Sequence, residues 1–119
     1  KVGSADDVFL SDKSTDVILS DAVLIYVGNW EIGDYLKEIR RLTRSHIVLC
    51  EFYTNNLWNK IALKINTGYN AYNWPKLLKR YGFYDIQMYK LKKEDWGGTP
   101  WEQFGVIVVA KIPKIYYNY

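Results

Sequence analysis

A single cysteine, Cys50, leaves no partner for an internal disulfide and no thiolate set for a zinc site. It reads as a small buried hydrophobe in a strand rather than as a reactive thiol. Histidine is equally scarce: His46 stands alone, no group of His, Asp and Glu has metal-ligand spacing, and no metal is expected. No apolar run approaches the roughly twenty residues of a membrane span, and the N-terminus lacks the apolar core of a signal peptide. A cytoplasmic location away from membranes is therefore the default expectation. Neither charge dominates, since 16 Lys and Arg against 13 Asp and Glu give a net +3, which tolerates an anionic ligand without demanding one. Internal repeats and low-complexity segments are absent. Aromatic surface is what the chain has in plenty, with 11 Tyr and 5 Trp that need either a core or a ligand to cover them. At 119 residues, 49% of them apolar and 24% charged, the sequence reads as one globular domain over 1–119.

The stretch that organises the rest runs from Thr15 to Val27. A polar lead-in, Ser11-Asp12-Lys13-Ser14, precedes Val17-Ile18-Leu19, and the polar pair Ser20-Asp21 follows. An unalternated aliphatic run between polar ends is the pattern of a strand covered on both faces, so 16–20 is expected to be a central parallel strand. Ligands of open α/β sheets sit beyond the carboxyl ends of the strands, which puts Ser20 and Asp21 at the functional edge. Ala22 to Val27 then leave the sheet as an apolar turn. Trp30 to Ser45 carry Ile32, Tyr35, Leu36, Ile39 and Leu42 at steps of three and four, predicting an amphipathic helix whose other face holds Lys37, Arg40, Arg41 and Arg44. That basic face reads as solvated rather than as a phosphate site, and nucleic acid is not an expected partner. His46 to Phe52 predicts a second buried strand. Strand, helix and strand make one crossover unit, and Glu51 should emerge beside Ser20 and Asp21 into a shared crevice.

Leu57, Trp58, Ile61 and Ile65 predict a helix over 55–66 with Asn55 or Asn56 as its N-cap. Asn73-Trp74-Pro75 opens another helix, buried through Leu77, Leu78 and Tyr81 and closed by Gly82 in a left-handed conformation. Strands are expected over 83–91 and 104–112, joined by a polar loop over 92–103 and paired antiparallel as a terminal hairpin. Lys1 to Ser4 read as the end of something already under way, so the sequence looks incomplete at its front.

These pieces in this order resemble the C-terminal half of class I S-adenosylmethionine-dependent methyltransferases of the small-molecule type. The residues that carry the resemblance are Gly3-Ser4-Ala5, Val8-Phe9-Leu10, Asp12, Thr15-Asp16, the run Val17 to Ser20, and Val23-Leu24 with Tyr26-Val27. Leu36 to Leu42 resembles the family's helix before its fifth strand, and Leu77-Leu78 with Tyr81-Gly82-Phe83 resembles its entry into the sixth. Over about 3–112 the resemblance implies a Rossmann-like α/β fold, mostly parallel, with an antiparallel terminal hairpin and truncated at its N-terminus. The family's glycine-rich loop and its ribose-holding acid are not in the sequence, and Ser4 stands where the family often has an Asp.

The activity implied is methyl transfer from S-adenosylmethionine to an unidentified small-molecule acceptor. Ser4, Ala5 and Asp6 would meet the adenine, and Ser20, Asp21 and Ala22 the methionine end, largely through backbone groups. Asp21 is the candidate general base, or else it caps the turn that follows it. Glu51, Tyr53, Trp58, Tyr72 and Trp74 would line the acceptor site, although such aromatics also fill gaps between helices and sheet. The competing reading is a non-catalytic domain that keeps the methyltransferase fold but has lost the cofactor loop.

Overall fold

The described residues form β1 (Thr15–Asp21), α1 (Ile32–Leu42), β2 (Thr43–Phe52), α2 (Leu57–Thr67), α3 (Trp74–Arg80), β3 (Tyr84–Lys90), α4 (Thr99–Phe104) and β4 (Gly105–Lys111). A single 3₁₀ turn, Leu24–Tyr26, follows β1. This architecture comes from a computed structural model, which describes residues 11–92, 94 and 99–113. The strands form one sheet in the order β1-β2-β4-β3. β1 runs parallel to β2 through the α1 crossover, and β4 pairs antiparallel with both β2 and β3. The expected α/β class with an antiparallel terminal hairpin is therefore present.

Side chains alternate across a pleated strand, so one set of residues on each strand faces the helices. Ile47 and Leu49 of β2 meet Val106, Val108 and Ala110 of β4, and this face packs on Leu36 and Ile39 of α1 and Trp74 and Leu78 of α3. The opposite face is less covered: Val48, Ile107 and Val109 are half-buried there among the described residues. This corrects the expectation for β1. Among the described residues it pairs with β2 alone and lies at an edge of their sheet. Ile18 and Ser20 turn toward the covered face, whereas Val17 and Leu19 turn away and are 49% and 68% exposed. Adjacent aliphatic residues in a strand call for cover on two sides, and the described residues supply it on one.

α1 is shorter than its hydrophobic stripe suggests. The Thr43 hydroxyl donates to the Ile39 carbonyl at 2.5 Å, closing the last turn, while Thr43 itself is extended and pairs with Thr15 of β1. A β-branched residue suits that extended position better than a helix end. Nor is the basic face simply solvated. Arg41 reaches Asp12 at 2.6 Å, Arg44 reaches Asp16 at 2.6 Å, and Arg40 donates to the Tyr81 carbonyl at 2.7 Å. Three of its four cations are thus engaged by the strand lead-in, by β1 and by the residue that caps α3, which weakens any nucleic-acid reading of that face.

In α2 the N-cap is Asn56, whose side chain accepts from the Asn59 amide at 3.1 Å. The apolar residues that reveal this helix face outward, with Leu57, Trp58 and Ile65 well exposed; Leu63 is its buried contact. The segment expected as polar loop contains α4, with Pro100 in its first turn, where a missing N–H costs nothing. α3 ends as predicted. Gly82 has φ +91°, its amide donates to Lys79, and the Phe83 amide donates to Leu78, which together form a Schellman closure. A methyl at Gly82 would also stand 2.9 Å from the Arg40 guanidinium. Gly82→Ala should therefore lower stability by about 1–2 kcal/mol in urea unfolding. An unchanged midpoint would show that the closure does not need this conformation.

Candidate functional site

Where β1 ends, the chain must turn sharply away from the sheet, and a buried carboxylate on the neighbouring strand holds it there. Glu51 lies one residue before the end of β2 and is fully buried. It accepts the Ser20 hydroxyl at 2.5 Å, the Leu24 amide at 3.1 Å and the Val23 amide at 3.4 Å. Burial pushes the Glu51 carboxyl up from its ordinary 4.5 to about 7, and these donors pull against that rise by stabilising the anion. Between the gathered donors, Ala22 is forced to φ +57° and its amide bonds the Cys50 carbonyl at 2.9 Å. A non-glycine residue in the left-handed region costs about 1 kcal/mol or more and persists only where its surroundings over-determine it. Turn 20–24 is thus a rigid, strained edge at the carboxyl end of the parallel pair.

Ser20 and Glu51 come together as expected, but Asp21, the third member of the crevice, does not join them. Asp21 is exposed and belongs to the opposite face of the sheet, paired in register with Cys50. Glu51 also differs from its expected role. It does not face an open crevice as an acceptor contact; it is the clamp of the turn. That leaves Asp21 without the capping function, since among the described residues its carboxylate makes no hydrogen bond to the turn backbone. The Cys50 thiol is pushed up to about 11 by burial, then by the neighbouring Asp21 and Glu51 carboxylates. A thiol so rarely ionised is a poor nucleophile. Ser4, Ala5 and Asp6 lie outside the described residues.

The aromatic residues separate into unlike groups. Trp74 is fully buried, its indole N–H donating to the Phe52 carbonyl at 2.8 Å, so it belongs to the core and not to an acceptor wall. Tyr72 is buried too. Its hydroxyl donates to the Val27 carbonyl and its ring packs on Trp74 at 5.3 Å. Tyr53 is half-buried against the main core and forms an isolated parallel bridge with Tyr72, whereas Trp58 is 77% exposed. Tyr69 and Trp101 pack on Phe52 at 5.7 and 4.4 Å in a second cluster. Trp96 falls outside the described residues.

Beyond the carboxyl end of β2, a cavity of about 410 Å³ opens between the start of α1, the start of α2 and the outer side of α3, with Tyr72 in its wall. Its position suits a small ligand. Sequence reasoning missed it because its polar lining comes from residues singly unremarkable, although Lys76 and Arg80 at a spacing of four on α3 were a visible signal.

No family model and no curated protein sequence matches the chain. Solved structures do. An S-adenosylmethionine-dependent methyltransferase from Methanosarcina mazei is 17% identical with a TM-score of 0.65, over 94% of this chain and 66% of that one. A methyltransferase of the same type from Thermotoga maritima is 17% identical with a TM-score of 0.61, over 93% and 62%. Magnesium protoporphyrin IX methyltransferase from Synechocystis, with bound S-adenosylhomocysteine, is 17% identical with a TM-score of 0.59, over 93% and 49%. The chain thus has the class I methyltransferase fold and spans between about half and two thirds of the length of these three proteins. No described helix is long and apolar enough to cross a membrane.

Proposed function

We propose that this chain is the carboxyl-terminal part of the catalytic domain of an S-adenosylmethionine-dependent methyltransferase acting on a small-molecule acceptor. The observation that carries the reading is the strained turn after β1, clamped by a buried carboxylate in a chain with the methyltransferase fold. Ser20, Asp21 and Ala22 fit the methionine end of the cofactor: they close a strand in a backbone conformation that leaves the Asp21 side chain exposed. When bound, the cofactor supplies an electrophilic sulfonium methyl. The protein's task is then alignment and exclusion of water. Asp21 serves as the base that takes the acceptor's proton, a role supported by its freedom from the turn backbone. Glu51 positions the edge without touching substrate.

Calorimetric titration of S-adenosylhomocysteine into the full-length protein tests this. Saturable binding is expected, weakened when Glu51→Ala relaxes the turn. An absence of binding would leave a non-catalytic domain that keeps only the fold.

A further inference from the structure

The cavity beyond β2 is unusual in its charge. Lys60, Lys76 and Arg80 line it, and no Asp or Glu does. The Lys60 ammonium donates to the Ala71 carbonyl at 2.6 Å and sits 4.0 Å above the centre of the Tyr72 ring, half-buried, with no carboxylate in ion-pair range among the described residues. Burial, and then the charge of Lys64, lower its pKa. Lys76 and Arg80 likewise make no ion pair among the described residues. Asn29, Asn55 and Asn73 add carboxamides to the wall, and that of Asn73 is oriented by accepting the Lys76 amide at 3.3 Å. The first turn of α2 opens onto the same space, with its positive dipole end toward it.

We infer that this cavity binds the phosphate dianion of a phosphorylated small molecule, with Lys60, Lys76 and Arg80 as its counter-charges. Three cations without an internal anion match a dianion better than a monoanion, and the volume admits a phosphate with an attached ring or short chain. The further assignment of that molecule as the methyl acceptor rests on the methyltransferase reading and on the place of the cavity, beyond the carboxyl end of β2 against Thr54 to Leu57.

Phenyl phosphate, benzoate and phenol titrated into the full-length protein, followed by amide chemical shifts, test the site. Phenyl phosphate should move amides of 54–57 and 73–80, bind at least tenfold more tightly than benzoate, and weaken as salt rises. Phenol should not move them. Lys76→Gln with Arg80→Gln removes two charges that hold no structural bond and should weaken phenyl phosphate by roughly tenfold or more. Lys60→Met, which keeps the stem over Tyr72, should do the same. Binding of S-adenosylhomocysteine should be unchanged in these variants. Equal affinity in wild type and variants, or equal binding of benzoate, overturns the phosphate site. Charge-dependent phosphate binding in a protein that ignores S-adenosylhomocysteine would sink the methyltransferase reading and the acceptor role, leaving an anion site.

Discussion

Glu51→Ala loses about 2–4 kcal/mol of folding stability at pH 5, because the buried amides of the turn and the Ser20 hydroxyl are left without their common acceptor. The companion substitution Glu51→Gln separates hydrogen bonding from ionisation. Its carboxamide oxygen still accepts the Leu24 amide, and it never carries charge. In the wild type the folded-state carboxyl titrates near 7 and the unfolded one near 4.5, so the folded protein holds an extra proton between those values. Stability contributed by this group is therefore fully present below pH 4.5, is lost as pH rises toward 7, and is level above. The size of that loss is about 3 kcal/mol. Urea midpoints of wild type and Glu51→Gln should converge at low pH and separate by that order at pH 8, with the glutamine form more stable. Parallel curves across the window would mean that Glu51 is not buried as an acid, and the clamp would lose its physical basis.

Trp74→Ala should cost about 3–5 kcal/mol, the range for deleting a large aromatic side chain from a packed core. Trp74→Phe should cost less, about 1–3 kcal/mol, since it keeps most of the ring volume but leaves the Phe52 carbonyl without the indole donor. Trp58→Ala, at a position 77% exposed, should stay within about 0.5 kcal/mol of wild type. The three together decide whether the aromatic wealth of this chain is core or ligand surface. A silent Trp74→Ala would return that residue to the acceptor wall.

Much of this was legible from local chemistry. Apolar residues at steps of three and four placed α1, and Asn-Trp-Pro with a later Gly placed both ends of α3, because capping and backbone rules act within a few residues. The joining of Ser20 to Glu51 was legible too, since parallel strands bring their carboxyl ends together. What failed depended on distant partners. Val17 and Leu19 have an aliphatic pattern that says nothing about whether anything packs over them. Leu57, Trp58 and Ile65 define a helical period whose buried side was set instead by Leu63 and the Lys60 stem. The side of the sheet on which Asp21 falls follows from strict alternation after Ser20, and reading carboxyl-end position alone overlooked it. The left-handed Ala22 had no sequence signal, because a residue other than glycine adopts it only when neighbours compel it.

We propose above all that the turn held by Glu51 is the cofactor edge of a methyltransferase. Amide chemical shifts of the full-length protein, followed as S-adenosylhomocysteine is added, test it most directly. The largest changes are expected at Ser20 to Leu24, reduced by Glu51→Ala. Binding that leaves those amides unmoved, or no binding, would contradict it.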